Sequence, residues 1–132
     1  MNRNELLQAL DGKLEPWHFK DYAPNGLQVE GSDEIRRIVT GVTASQALID
    51  EAIRLQADTI LVHHGYFWKS EAAPITGIKR KRIAALLQSN INLIAYHLPL
   101  DAHPALGNNA QLGQVLGFVE AAPSQSEPLL WC

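Results

Sequence analysis

Apolar positions recur along the chain at two different spacings. Near the N-terminus, Leu6, Leu7, Ala9, Leu10 and Leu14 fall at helical intervals, so a helix is expected over residues 4–11 with Gly12 as its stop. Residues 15–34 contain Pro16, Pro24, Gly26 and Gly31 and read as a long connection, with a short strand at 27–30. The β-branched run "RRIVTGV" (36–42) reads as a strand. In 46–56, Ala47, Leu48, Ala52, Ile53 and Leu55 make a helical face, and the Ser45 hydroxyl is a natural N-cap. A strand over 58–64, a helix over 79–90 with Ile83, Leu86 and Leu87 inward, and a strand over 91–97 follow. A last helix is expected over 108–118, capped by Asn108 or Asn109.

Alternating strands and helices of this kind predict an α/β fold, with a mostly parallel sheet flanked by helices and right-handed crossovers. The strands are nearly continuous apolar runs, as expected of a sheet covered on both faces. Residues 1–120 are read as one domain. The tail, "AAPSQSEPLLWC" (121–132), passes from a polar linker to an apolar, strand-like end. It reads as the start of a truncated second module; packing of the tail on the domain is the other reading.

Chemistry concentrates at two strand ends. "ILVHHGYFWKS" (60–70) ends an apolar run in His63 and His64, and "YHLPLDAH" (96–103) brings His97, Asp101 and His103 after the next strand. Loops beyond the carboxyl ends of strands form the ligand crevice of an open parallel sheet, so the two clusters are expected to converge. Neutral imidazoles and a carboxylate suit zinc, iron, manganese or nickel, and a carboxylate can bridge two ions. Adjacent histidines point to opposite faces in mid-strand, but at a strand end the backbone is free to turn, and Gly65 permits that. His18 reads as structural or surface. Tyr66, Phe67 and Trp68 read as core or subunit packing rather than as the wall of a pocket. The basic run Lys79–Arg82 reads as a solvated face rather than an anion contact, and Asp58 as structural. The free N–H groups near Ser45 are a second place where a phosphate could sit.

Composition narrows the classes. Hydrophobic residues are 46% and charged residues 19% of the 132, the balance of a globular domain. A net charge of −3 provides no basic field for nucleic acid or an anionic membrane, so neither partner is expected. No apolar run approaches the roughly 20 residues of a membrane span, and "MNRNELLQALDG" lacks the apolar core of a signal peptide. The single cysteine, Cys132, excludes an intrachain disulfide. A cytoplasmic setting is expected. Neither a Walker A nor a G-x-G-x-x-G motif is present, and without a G-x-S-x-G elbow a serine hydrolase is set aside.

Five segments, "NGLQVEG" (25–31), "VTGVTAS" (39–45), "ADTILVHHGYFW" (57–68), "AYHLPLDAH" (95–103) and "GNNAQLGQVLGF" (107–118), occur in an order that resembles the GTP cyclohydrolase I type 2 homologues, also called Nif-three-like proteins. The resemblance implies the N-terminal half of that α/β fold, a dinuclear metal centre and a ring-shaped homohexamer. Carried over, it implies His63, His64 and Asp101 as ligands of two divalent transition-metal ions, with Asp101 as the bridge. It gives His97 a substrate-side, catalytic or supporting role and leaves His103 outside the ligands. It further implies a longer chain, whose later portion adds a histidine and a glutamate that have no match here. The implied activity is metal-dependent hydrolysis, either ring-opening of GTP or cleavage of a phosphoester. A non-catalytic metal-binding or scaffold protein, or an inactive fragment, is the alternative.

Overall fold

In the computed structural model, residues 1–118 are described, so the expectation for the tail at 121–132 lies outside the described residues. Strands β1 (Gly26–Val29), β2 (Ile38–Thr43), β3 (Thr59–His64) and β4 (Asn92–Ala95) form one sheet in the order β1-β4-β3-β2. β2 pairs with β3, and β3 with β4, in parallel; β1 joins β4 antiparallel, with a register irregularity between Leu27 and Val29. The sheet is therefore mostly parallel, as the strand and helix pattern requires.

Helices α2 (Gln46–Arg54) and α3 (Gly77–Gln88) cover one face. Ser45 caps α2, its Oγ accepting from the Leu48 N–H at 3.2 Å. Ile49 and Ala52 of α2 and Ile83 and Leu86 of α3 meet Ile60, Val62 and Leu93 of the sheet in the main core. Full burial of each large aliphatic side chain stabilises by about 1.5–3 kcal/mol. Leu87, expected inward, is 57% exposed. Ile83 and Leu86 already fill the stripe that faces the sheet, and the next position rotates about 100° away from it.

Helix α1 (Arg3–Leu14) lies over the other face, where Leu6 and Leu14 pack with Ile35, Ile94 and Tyr96. Asn2 and Glu5 form a capping box at its start. The expected stop at Gly12 is corrected: the helix continues two residues further, and the left-handed residue that ends it is Glu15, with φ 47°. Gly12 is exposed, and burial of Leu14 offsets its weak helix propensity, about 1 kcal/mol.

Two more helices follow β4: α4 (Leu98–Asp101), which no periodicity marks, and α5 (Asn108–Val115). The N-cap of α5 is Gly107, not Asn108 or Asn109. A Cβ on Gly107 would stand 2.5 Å from the His103 carbonyl oxygen and 2.6 Å from that of Leu100, so only glycine lets α5 approach α4 this closely. Coverage on both faces is also incomplete: β2 is an edge strand, and its Val42 is 69% exposed.

Buried polar groups pin the connections. Asn92 is fully buried, donating to the Ser32 carbonyl at 2.8 Å and accepting from the Gly31 N–H at 2.8 Å. Asp58 is structural, its Oδ2 accepting from the backbone N–H groups of Arg36 and Arg37. The Tyr66 hydroxyl donates to the Ala44 carbonyl at 2.7 Å, and burial pushes its pKa up to about 12. A raised tyrosine pKa stabilises the fold below the ordinary value near 10 and loses that contribution as pH rises toward about 12. Tyr66→Phe should cost about 1 kcal/mol at neutral pH. It should also flatten the alkaline fall in stability, which chemical denaturation at several pH values would read. An unchanged slope would show that Tyr66 titrates alike in both states.

Candidate metal centre

The parallel register places Thr43 opposite His64, and the Ala44 N–H donates to the His64 carbonyl at 2.9 Å, so pairing persists to the end of β3. His97 lies two residues beyond β4, at the start of α4, and Asp101 follows four residues on. On a helical turn that spacing sets both on one side. The two strand ends are neighbours, and the expected convergence occurs.

His63, His64 and His97 form one cluster, in which one ligand-capable nitrogen of each lies within 4.8 Å of the others. Ring centroids are 4.3 Å apart for His63 and His64, 5.0 Å for His63 and His97, and 5.5 Å for His64 and His97. The Asp101 carboxylate faces two of them, Oδ1 at 3.5 Å from His63 Nε2 and Oδ2 at 4.0 Å from His97 Nε2. Asn108 restrains that carboxylate, donating to Oδ1 at 2.6 Å. Gly65 has no positive φ, so the left-handed freedom of glycine is not used there. Its contribution is space: a Cβ there would stand 2.1 Å from Gln28 Oε1, the atom that accepts from the Tyr66 N–H.

The far nitrogens of two imidazoles are tied down. His63 Nδ1 lies 3.1 Å from the Tyr96 carbonyl oxygen, which can only accept, so Nδ1 carries a proton and Nε2 is the nitrogen turned toward Asp101. His97 Nδ1 lies 2.7 Å from Asp21 Oδ1. Asp21 also accepts from the N–H groups of Tyr22 and Leu98 and from the Asn25 amide. Burial alone raises the Asp21 pKa, but bonds from His97, Asn25, Leu98 and Tyr22 outweigh it and leave it below the ordinary value. A carboxylate that stays ionised fixes the His97 proton on Nδ1 and leaves Nε2 free as well. Asn25 adds a second tether, its Oδ1 accepting from the His97 N–H at 2.8 Å. Metal-ligating histidines characteristically hold their second nitrogen in this way. Among the described residues, His64 has a long approach, 3.4 Å, from Nδ1 to Thr43 Oγ1. Burial first, then the neighbouring His63 and His97, lowers its pKa, which keeps the ring neutral and able to ligate.

Three imidazoles, each turning a nitrogen to the cluster, and a carboxylate in reach make a donor set that fits a divalent transition metal. His97 stands inside the cluster rather than beside it. His103 is not part of the cluster, and its Nδ1 accepts from the N–H groups of Ala105 and Leu106 within its own loop. His18 is exposed. Tyr66 and Phe67 pack with the core, as expected, whereas Trp68 stands at the cluster. Asp21 and Asn25 carry no signal in the sequence, because they lie in the connection at 15–34, which has no periodicity.

The model of the family described as Duf34/NIF3 (NGG1p interacting factor 3) matches residues 1–129. A curated relative from Salmonella typhimurium, named GTP cyclohydrolase 1 type 2 homolog, is 58% identical over 130 residues, covering 98% of this chain and 52% of the relative. A solved structure described as protein ybgI of unknown function is 56% identical, with a TM-score of 0.93 over 99% of this chain and 52% of its own. A solved protein from Thermus thermophilus is 42% identical, with a TM-score of 0.88 over 95% of this chain and 52% of its own. The chain thus spans about half the length of the curated relatives that it matches. It belongs to the Duf34/NIF3 (NGG1p interacting factor 3) family.

Proposed function

We propose that His63, His64, His97 and Asp101 hold divalent transition metal, up to two ions, at the site of a metal-dependent hydrolase. The observation that carries this reading is the Asp101 carboxylate, whose two oxygens face two different histidines at 3.5 and 4.0 Å. That is where a shared carboxylate belongs. Metal bound there would lower the pKa of a coordinated water and supply hydroxide near neutral pH.

The chain's own residues supply orientation. The Tyr96 carbonyl and Asp21 present Nε2 of His63 and of His97, and Asn108 steadies Asp101. We assign His97 as an imidazole of the metal site rather than an independent proton carrier, because its Nε2 lies among the other donors. The name that the relatives carry directs the substrate toward a nucleotide, with GTP ring-opening and phosphoester cleavage as the two chemistries. Assembly into a ring of copies and a cytoplasmic setting belong to the same reading. No described helix is long and apolar enough to cross a membrane.

Elemental mass spectrometry of the purified chain, together with its native mass, tests the reading. Between one and two metal ions per chain are expected, followed by turnover of GTP or a phosphoester. Asp101→Asn should lose one ion preferentially, and equal loss of both would remove it as the bridge. Metal without turnover of any nucleotide would favour a metal-holding protein over an enzyme. A chain that takes up no metal would sink the proposal.

A further inference from the structure

The loop that leaves β3 has a backbone that its sequence does not favour. Phe67 adopts φ 63°, in the left-handed region that side-chain-bearing residues rarely enter. Surrounding bonds hold it there. The Phe67 N–H donates to Glu71 Oε2 at 2.7 Å, and the Glu71 N–H donates back to the Trp68 carbonyl at 2.8 Å. Lys79, from the first turn of α3, lies 3.5 Å from Glu71 Oε1, donates to the Ala72 carbonyl at 3.1 Å and sits 5.1 Å from the centre of the Phe67 ring. Its side chain is only 13% exposed, so it departs from the solvated face expected of the basic run. A further bond runs from the Lys69 N–H to the Tyr22 carbonyl at 2.8 Å, and Tyr22 is the neighbour of Asp21.

What this clamp positions is Trp68. Its indole N–H donates to the Gly65 carbonyl at 3.2 Å. Its ring meets His97 edge-to-face, with centroids 4.9 Å apart and planes at 79°, and stands 5.9 Å from His64. The bond from His97 Nδ1 to Asp21 holds the imidazole at one atom, and ring libration is what that bond restrains least. The Trp68 ring packed against the imidazole adds a second restraint on its plane. Strained backbone that persists because its surroundings over-determine it clusters at functional sites.

We propose that Trp68 is a positioning residue of the metal centre. Held by the Glu71–Lys79 clamp, it sets the plane of His97 so that Nε2 points into the cluster. The inference rests on the metal-site reading above but not on any turnover. Aromatic pairs of this kind correspond to about a three- to tenfold change in affinity.

The test uses the 132-residue chain with zinc and cobalt(II) as probes. Trp68→Ala should weaken zinc binding by about three- to tenfold in a chelator competition, and Trp68→Phe, which keeps an aromatic edge, should restore most of it. Glu71→Gln, which keeps the tryptophan but removes the charge that pairs with Lys79, should weaken binding in the same direction by loosening the clamp. Cobalt(II) should quench part of the tryptophan fluorescence of the wild type, and quenching should be smaller in Trp68→Phe, in which Trp17 and Trp131 still emit. The visible bands of bound cobalt(II) should shift in Trp68→Ala. Thermal melting of each metal-free variant separates this from a loss of folding. Wild-type zinc affinity and cobalt(II) bands in a folded Trp68→Ala would overturn the inference while leaving the metal site intact. A wild type that binds neither ion would overturn both.

Discussion

Replacing either histidine of the β3 pair should strip the centre of metal. His63→Ala removes an imidazole whose Nδ1–H donates to the Tyr96 carbonyl, 3.1 Å away, so its Nε2 is turned to the cluster. His64→Ala removes the ring that burial and its neighbours keep neutral. Neither change opens a cavity in the main core, because both rings sit at the end of β3 and are only partly buried. Disturbing a residue that merely supports a ligand costs about 10–100-fold in metal affinity, and loss of a ligand itself should cost more than the upper end of that range. The expected result is metal content near zero after dialysis for both variants, with melting of the metal-free chains close to wild type. Stoichiometry unchanged in both would refute the assignment of the pair as ligands.

How much of this could be read from the sequence follows from where each residue sits. The period of apolar residues marks β2, α2, β3, α3 and β4, because each buries one stripe or both faces against a neighbour. Ser45 is legible because an N-cap is a local event. His63 and His64 end one apolar strand, and His97 and Asp101 follow the next, so the strand pattern also locates the candidate ligands. Asp21 and Asn25 are not legible. They act through contacts to His97 and Leu98, more than seventy positions away in sequence, from a loop that has no period. Gly12 and Gly65 mislead for a related reason. A glycine can end a helix or free a turn, but it can also stand passively in a helix or make room for another side chain, as Gly65 does for Gln28. The basic run conceals Lys79 because a cation at a helix start reads as solvent-facing until the Glu71 loop is folded over it.

The second large effect is expected at Asp21. Four donors converge on its two oxygens: Tyr22 N–H and His97 Nδ1–H on Oδ1, and Asn25 Nδ2 and Leu98 N–H on Oδ2. Asp21→Asn preserves the shape but turns one of those oxygens into a second donor. Whichever way the amide faces, two of the four donors lose their acceptor. With its side chain only 3% exposed, water cannot take over that role. Each buried donor left unmade costs about 1–3 kcal/mol, so the variant should lose roughly 2–5 kcal/mol in denaturant unfolding. The chemistry changes too. If the amide nitrogen faces His97, the imidazole accepts on Nδ1 and the proton moves to Nε2, the nitrogen that should face the metal. If the amide oxygen faces His97, the tautomer survives but the charge that strengthens the bond is gone. Either arrangement should weaken zinc binding by about 10–100-fold, the usual consequence of losing the carboxylate behind a metal-binding histidine. Asp21→Asn that melts like wild type and binds zinc equally well would show that His97 needs no carboxylate behind it. Reduced stability with wild-type zinc affinity would confine Asp21 to holding the two loops together.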